Sequence, residues 1–157
     1  MLILGRSGIG KSEAALELIQ RGHRLVADDV VLIRRGPDGL LGTSPDLIRH
    51  HLEIRGIGIL YVPDLYGPDS VREQCRVDLQ CLLERWEEGR EYERVGLERP
   101  TATVLGVLLP TLLLPVRPAG SMAPLVEVAA RDHRKREEGV VAARRLDARF
   151  RDEASGP

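Results

Sequence analysis

The sequence predicts an α/β domain with a mixed β-sheet that carries a phosphate-binding loop after its first strand. Residues 5–12 fit the pattern G-x-x-x-x-G-K-[ST]. A short apolar run precedes them, and a stretch rich in helix-forming residues follows. Strand, glycine loop and helix is the context that this motif requires.

The residue types of the loop suit an anionic polyphosphate. The loop consists of Gly5, Arg6, Ser7, Gly8, Ile9, Gly10, Lys11 and Ser12. Glycines remove the Cβ atoms that would keep backbone N–H groups away from the anion, Lys11 adds a point charge, and Ser12 offers a hydroxyl to Mg²⁺. The helix that follows turns its positive end toward the same phosphates. The alternative is a glycine-rich turn that binds nothing.

The elements around the loop are short. Residues 1–4 read as the end of a buried strand, and this brevity predicts a chain that is truncated or begins at an internal methionine. Residues 13–21 predict a helix capped by Gly22. A strand at residues 24–27 would deliver Asp28 and Asp29 at its carboxyl end, where chemistry is found in open α/β sheets. These carboxylates can bind Mg²⁺ or accept a proton, or they form a solvated acidic turn.

The middle of the chain predicts strands. Residues 30–41 form a hairpin around a turn at 36–39. The two glycines of segment 52–61 suggest a close backbone approach. Within it, Glu53 and Arg55 form either a cross-strand ion pair or a functional pair, in which Glu53 binds Mg²⁺ and Arg55 contacts a phosphoryl group.

The second half predicts further strands, a helix and a final amphipathic segment. Alternation predicts a strand over residues 77–83, and two more follow at 103–109 and 111–116. Arg94 stands in a charged loop and either is solvated or faces phosphate. A helix is expected at 121–138 and an amphipathic segment at 140–150, and we place one domain at residues 1–150 with a polar tail at 151–157.

Composition narrows the classes of partner. A net charge of −1 provides no basic field for nucleic acid, and 3% aromatic residues provide few stacking platforms. The most apolar run, residues 104–116, is too short to span a membrane. Cys75 and Cys81, six residues apart along a predicted strand, are too distant for a disulfide. We therefore expect a cytoplasmic protein that binds neither nucleic acid nor membrane.

Several stretches together resemble the C-terminal catalytic domain of bacterial HPr kinase/phosphorylase. They lie at residues 8–13, 21–29, 52–59, 92–96, 115–117 and 126–130. The resemblance implies a P-loop fold of the HPr kinase / PEP carboxykinase-like type. It also implies an enzyme of sugar-uptake regulation that phosphorylates a serine of the phosphocarrier protein HPr with ATP or pyrophosphate, reverses the modification with phosphate, and assembles as a hexamer.

The resemblance also implies roles for individual residues. Lys11 and Arg94 would be catalytic, Ser12 and Glu53 would bind Mg²⁺, and residues 5–12 would hold ATP. Asp29 would accept the serine proton in the forward direction and return it in reverse. Residues 115–120 would form a loop needed chiefly for phosphorolysis.

The resemblance has three departures. A catalytic histidine that the family carries upstream of the phosphate loop is not in this sequence, and Arg6 stands where the family usually has aspartate. Residues 119–121 replace a glycine, a basic residue and an asparagine, so we expect phosphorolysis to be weaker than phosphorylation. The alternatives are a non-catalytic module that binds ATP or phosphate, and a kinase of the same fold that acts on a small molecule.

Overall fold

The structure, a computed structural model, describes residues 1–117 and 120–154. Its strands are β1 (Leu2–Gly5), β2 (Leu32–Gly36), β3 (Gly39–Thr43), β4 (His51–Ile54), β5 (Gly58–Tyr61), β6 (Gln74–Val77), β7 (Gln80–Arg85), β8 (Thr101–Val104) and β9 (Val107–Val116). Its α-helices are α1 (Lys11–Gln20), α2 (Val62–Tyr66), α3 (Ala123–Glu137) and α4 (Ala142–Ala154). Short 3₁₀ turns lie at Asp46–Ile48 and Pro68–Ser70.

The central sheet has the strand order β1-β7-β9-β8. β1 and β7 are parallel, as are β7 and β9, whereas β8 is antiparallel to β9. The predicted mixed sheet is thereby confirmed. Gly5 pairs with Leu83, and Leu83 pairs with Leu114, so the carboxyl ends of three parallel strands lie along one edge. The phosphate loop leaves β1 at this edge.

The remaining strands form two smaller units. β2, β3 and β6 make an antiparallel sheet, and β4 pairs with β5 as a separate hairpin. Gly36 pairs with Gly39, which leaves Pro37 and Asp38 as a tight turn and confirms the first predicted hairpin.

Helices α1 and α3 pack together against the central sheet. Ala14 and Leu18 of α1 are buried with Leu83 of β7 and Val126 of α3. The i, i+4 spacing in α1 explains why both of its residues face the core. Each fully buried Leu or Val contributes about 1.5–3 kcal/mol relative to an exposed side chain. Because α1 begins directly after the phosphate loop, this packing anchors the loop.

The helices largely match their predicted positions. α1 ends at the predicted glycine, since Gly22 has a φ of 88° and its N–H donates to the carbonyl of Ile19 at 2.9 Å. α3 agrees with the prediction within two residues at each end. α4 continues to Ala154, so the predicted tail begins inside this helix, and residues 155–157 lie outside the described residues. None of the described helices combines the length and apolarity needed to cross a membrane.

The strand predicted for residues 24–27 is wrong. Pairing in this segment is limited, among the described residues, to one parallel bridge between Leu25 and Val71. The N–H of Leu25 donates to Ser70, and its carbonyl accepts from Arg72. Burial of Leu25 explains the apolar pattern, but the neighbouring segment supplies a partner at a single position. The two aspartates therefore follow an irregular segment.

Two strand boundaries also differ from the prediction. The expected break at Pro110 is absent from β9, because Pro110 lies where the pairing of β9 passes from Thr101 of β8 to Gln80 of β7. The predicted single strand over residues 77–83 is wrong, since Val77 ends β6 and the chain then crosses to β7 of the central sheet.

Two smaller expectations have opposite outcomes. The close backbone approach expected at Gly56 and Gly58 is wrong, because an added Cβ would meet nothing within 4 Å at either position. Their φ angles of 86° and 110° are instead what the hairpin turn requires. Cys75 of β6 and Cys81 of β7 are both free thiols, as predicted, although they lie in different sheets.

Candidate functional site

The phosphate loop joins β1 to α1 in a conformation that needs glycine. A Cβ at Gly5 would lie 2.8 Å from the carbonyl oxygen of Leu83 and 2.9 Å from a methyl carbon of Ile9. Gly10, directly before α1, has a φ of 98°. The Lys11 ammonium folds back and donates to the carbonyl of Arg6 at 3.2 Å. The loop therefore presents Lys11 and the amino end of α1 to the same space.

Asp28 connects the two predicted metal ligands. The Ser12 hydroxyl donates to Asp28 Oδ1 at 3.1 Å, and the backbone N–H of Glu53 donates to Asp28 Oδ2 at 3.1 Å. The residue pattern indicated that either adjacent carboxylate could bind Mg²⁺ or accept a proton, and the family resemblance gave a specific role only to Asp29. The adjacent aspartates were thus visible in the sequence. The contact between Asp28 and Ser12 was not, because it depends on the tertiary fold.

Asp29 has a strained backbone. Its φ is 49°, and the N–H of Val30 donates to the carbonyl of Asp28 at 2.5 Å across it. Such a three-residue turn is uncommon for a residue other than glycine, although aspartate tolerates it better than most. Strain of this kind is often found at functional sites because the surrounding fold holds a side chain in a required place.

The β4–β5 hairpin lies against the phosphate loop. Arg55, in its turn, donates to the Ser7 hydroxyl at 3.3 Å. A Cβ at Gly8 would lie 3.1 Å from the Arg55 guanidinium. The ion pair that was considered for Glu53 and Arg55 is absent from the described residues. The Arg55 guanidinium instead lies beside the phosphate loop. This position agrees with the alternative in which Arg55 contacts a phosphoryl group, and that role stays a prediction.

These elements enclose a polar cleft of about 110 Å³. Its lining includes Lys11, Ser12, Asp29, Glu53 and Arg55. A larger hollow of about 720 Å³ runs along β1 and shares Lys11 and Asp29 with the cleft. Four of the residues predicted for catalysis or metal binding thus meet in one place. Their roles stay predictions.

Arg94 is not part of this lining. It is exposed, in the loop between β7 and β8. Hydrogen bonds within the loop fix the backbone on both sides of Arg94, because the Glu93 carboxylate accepts the N–H groups of Gly96 and Val95, each at 2.7 Å. These hydrogen bonds lower the pKa of Glu93. Of the predicted loop at 115–120, residues 118–119 lie outside the described residues.

The donor set of the cleft fits Mg²⁺. Among the described residues, no group of three or more His, Cys, Asp or Glu side chains is arranged as a metal site. Mg²⁺ does not need one, because it commonly binds one or two carboxylates together with water and substrate phosphates. Ser12 and Glu53 lie within reach of one carboxylate, Asp28, and supply hard oxygen donors.

A comparison with protein families decides the identity of the domain. The family profile described as HPr Serine kinase C-terminal domain matches residues 1–150. This chain belongs to that family. The resemblance found in the sequence motifs is therefore confirmed.

Relatives of this HPr serine kinase domain agree with the assignment. An HPr kinase/phosphorylase of Caldanaerobacter subterraneus subsp. tengcongensis is 53% identical over 151 residues, which cover 96% of this chain and 50% of that protein. One from Bacillus licheniformis is 48% identical over 153 residues, which cover 97% and 49%. The chain spans about half the length of the curated relatives it matches.

A solved structure confirms the fold of the HPr kinase domain. The Hpr(Ser) kinase/phosphatase from Coxiella burnetii matches with a TM-score of 0.80 and 37% sequence identity. The match covers 87% of this chain and 84% of that one. The predicted fold class of the HPr kinase type is therefore confirmed.

Proposed function

We propose that this chain is the catalytic domain of a Mg²⁺-dependent protein-serine kinase that phosphorylates HPr and reverses the modification by phosphorolysis. The observation that carries the proposal is the meeting of Lys11, Ser12, Asp29 and Glu53 in one cleft. Phosphoryl transfer depends mainly on positioning and charge neutralisation, and these residues supply a phosphate cradle, a base and oxygen donors for a metal.

In the forward direction, a serine hydroxyl of the partner attacks the γ-phosphorus of ATP. The bond from that phosphorus to the bridging oxygen of ADP breaks, and the serine proton passes to Asp29. Lys11 and the loop N–H groups balance the charge on the phosphate oxygens. With pyrophosphate as donor, the same steps release inorganic phosphate in place of ADP.

In the reverse direction, an oxygen of inorganic phosphate attacks the phosphorus of phosphoserine. The bond between phosphorus and the serine oxygen breaks, pyrophosphate forms, and Asp29 returns its proton to the serine oxygen. One group in one place serves both directions, as microscopic reversibility requires. The altered residues 119–121 support the expectation that this direction is weaker.

Magnesium would be held by Ser12 and Glu53 and would neutralise charge on the transferred phosphoryl group. Asp28 accepts the Ser12 hydroxyl and the backbone N–H of Glu53, so it links the segments that carry the two ligands. Arg55, which donates to Ser7, contributes a positive charge beside the loop. This division puts the carboxylates near the metal and the cations near the phosphates.

The assignment of HPr as partner is supported by the relatives, which are named HPr kinase/phosphorylase. The two free thiols fit the reducing cytoplasm in which we place the reaction.

We also propose a homo-oligomer, a hexamer by family resemblance. The exposed Leu146 and Phe150, one turn apart on α4, support an interface between copies. Sedimentation velocity of the purified chain tests this assembly.

The test of function is Mg²⁺-dependent transfer of labelled γ-phosphate from ATP to purified HPr. We expect phosphoserine with the wild-type chain and none with Lys11→Ala or Asp29→Ala. Transfer that persists in Asp29→Ala would remove Asp29 from the mechanism. Binding of MgATP that depends on Lys11, without any transfer, would favour the non-catalytic module. Transfer to a small hydroxylated molecule but not to HPr would favour the alternative kinase.

A further inference from the structure

Four side chains form a stack outside the cleft, which we call the Trp86 stack. The Arg117 guanidinium lies over the Trp86 ring at 4.3 Å from its centroid. Trp86 stacks in turn on Tyr92, with centroids 4.8 Å apart and planes 25° from parallel. Arg90 lies over the Tyr92 ring at 5.5 Å. Cation, two rings and cation therefore follow one another, an arrangement in which each contact is attractive.

The two ends of the Trp86 stack differ in their charge partners. Arg90 pairs with Glu84 at 2.8 Å and Glu87 at 3.5 Å, and the charge of Glu84 is the main cause of its raised pKa. Tyr92 is tied down as well, because its hydroxyl accepts the N–H of Glu87 at 3.0 Å. One end of the stack is thus neutralised and fixed.

Arg117, at the other end, has no such charge partner among the residues that the structure describes. Within residues 1–117 and 120–154, no carboxylate or hydrogen-bond acceptor pairs with it, and its contact is the Trp86 ring. A guanidinium that uses one face for an aromatic ring keeps its N–H groups in the plane, where they can donate to an anion. Arg117 is therefore held in place without being neutralised.

The position of the Trp86 stack relates it to the phosphate loop. Trp86 directly follows β7, the strand between β1 and β9, and its N–H donates to Val116 at 3.0 Å. Arg117 follows β9, and its guanidinium lies over Trp86, which follows β7, the neighbour of β9 on the side of β1. Since neighbouring strands lie about 4.8 Å apart, Trp86 follows a strand one spacing from β1 and Arg117 follows a strand two spacings from it, at the edge where the phosphate loop leaves β1.

We propose that Trp86, supported by Tyr92 and Arg90, is a positioning residue that holds Arg117 ready for a phosphate group at this edge of the sheet. The group is either inorganic phosphate or the phosphoryl group of the modified partner. This inference rests on the proposed kinase/phosphorylase function and assigns a role to aromatic residues that the cleft does not contain. Trp86 acts through Arg117 and does not touch the reacting atoms.

The test compares variants of the full chain in phosphorolysis, with release of pyrophosphate from phosphorylated HPr as the assay. Trp86→Leu should raise the KM for inorganic phosphate about 3- to 30-fold, the range expected for the loss of one cation–π contact. The KM for ATP in the forward reaction should change less than about twofold. Trp86→Phe keeps a ring and should recover most of the loss. If the KM for phosphorylated HPr rises and that for phosphate does not, the phosphoryl group is the one that Arg117 meets.

A double-mutant cycle separates positioning from a purely structural effect. In an Arg117→Ala background, Trp86→Leu should have no further effect on either phosphate KM. Equal effects of Trp86→Leu with and without Arg117, or an equal rise in the KM for ATP, would overturn the proposal. Arg90→Gln is the matched control, because it removes a stacked arginine that is already neutralised and should alter the phosphate KM less than Arg117→Ala does.

A readout without catalysis keeps this inference separate from the proposed function. Trp86 is the single tryptophan of the chain, so its fluorescence reports on the stack alone. Titration with inorganic phosphate should change the fluorescence of wild type but not of Arg117→Ala, with potassium chloride at equal ionic strength as control. Identical responses in the two proteins, together with unchanged KM values for phosphate and for phosphorylated HPr in Trp86→Leu, would overturn the positioning role. An absence of phosphoserine formation together with the expected fluorescence would instead refute only the kinase assignment.

Discussion

Replacement of Asp28 by alanine tests whether this carboxylate joins the two halves of the site. The substitution removes the acceptor of two hydrogen bonds, from the Ser12 hydroxyl and the Glu53 N–H, each at 3.1 Å. A hydrogen bond to a charged group contributes about 1.5–3 kcal/mol. Because the cleft is open and water can replace the lost acceptor, we expect a total loss of about 2 kcal/mol in the free energy of unfolding.

Urea denaturation followed by circular dichroism measures this loss directly. A decrease of about 2 kcal/mol lowers the Tm of a domain of this size by about 4–8 °C. Asp28→Asn keeps one carbonyl oxygen and should lose about half as much free energy. The affinity for MgATP should fall about tenfold in Asp28→Ala. This factor corresponds to a loss of about 1.4 kcal/mol of binding free energy, which we expect when Ser12 and Glu53 are no longer held in place.

Glu91→Ala is a suitable control, because Glu91 is an exposed carboxylate in the β7–β8 loop, away from the cleft. It should leave both measurements unchanged. If the free energy of unfolding of Asp28→Ala stays within about 0.5 kcal/mol of wild type, the usual range for a surface substitution, then Asp28 does not join the two halves of the site.

Three further predictions concern single side chains. Asp29→Asn should abolish phosphoserine formation while the Tm stays within about 2 °C of wild type, because asparagine tolerates a positive φ as well as aspartate does. Burial raises the pKa of Cys81 to about 11, so about one Cys81 in a thousand is ionised at pH 8, and iodoacetamide should label Cys75 first by mass spectrometry of tryptic peptides. A hydrogen bond from Arg131 lowers the pKa of Glu127, so the stability it adds is present above the ordinary carboxyl pKa and is lost as the pH falls through the lowered one. Urea midpoints of Glu127→Gln should consequently fall less steeply than those of wild type between about pH 5 and pH 3.

Patterns that are local in the sequence predicted the fold well. The phosphate loop, α1 and the cap at Gly22 depend on contiguous residues, and each was found where it was expected. The failed strand at 24–27 shows the opposite case. Its apolar residues are explained by burial of Leu25, and whether a segment pairs over several residues depends on a neighbour that is distant in sequence, here Val71.

The candidate site was only partly predictable for the same reason. Local motifs identified Lys11, Ser12, Asp29 and Glu53, and the fold brings them into one cleft. The sequence could not show which of the two adjacent aspartates contacts Ser12. Ser12 and Asp28 lie 16 positions apart, so their contact is seen only in the tertiary structure. No sequence pattern predicted the Trp86 stack. Trp86 follows β7 and Arg117 follows β9, and the two residues meet only because these parallel strands pair.

The distribution of charge in the cleft predicts which ligands the site prefers. The Asp28 carboxylate accepts the Ser12 hydroxyl and the backbone N–H of Glu53, whereas the Lys11 ammonium donates to the carbonyl of Arg6 and the Arg55 guanidinium to Ser7. If the site binds Mg²⁺ and a polyphosphate as proposed, the cations would repel the metal ion alone and the carboxylates would repel the polyphosphate alone, so we expect each ligand to bind better in the presence of the other, by the same factor. The net charge of −1 conceals this arrangement, because screening over about 8 Å makes local charges decisive. We therefore expect this chain, which has no basic field, to bind a polyphosphate more tightly in the presence of Mg²⁺ than in its absence.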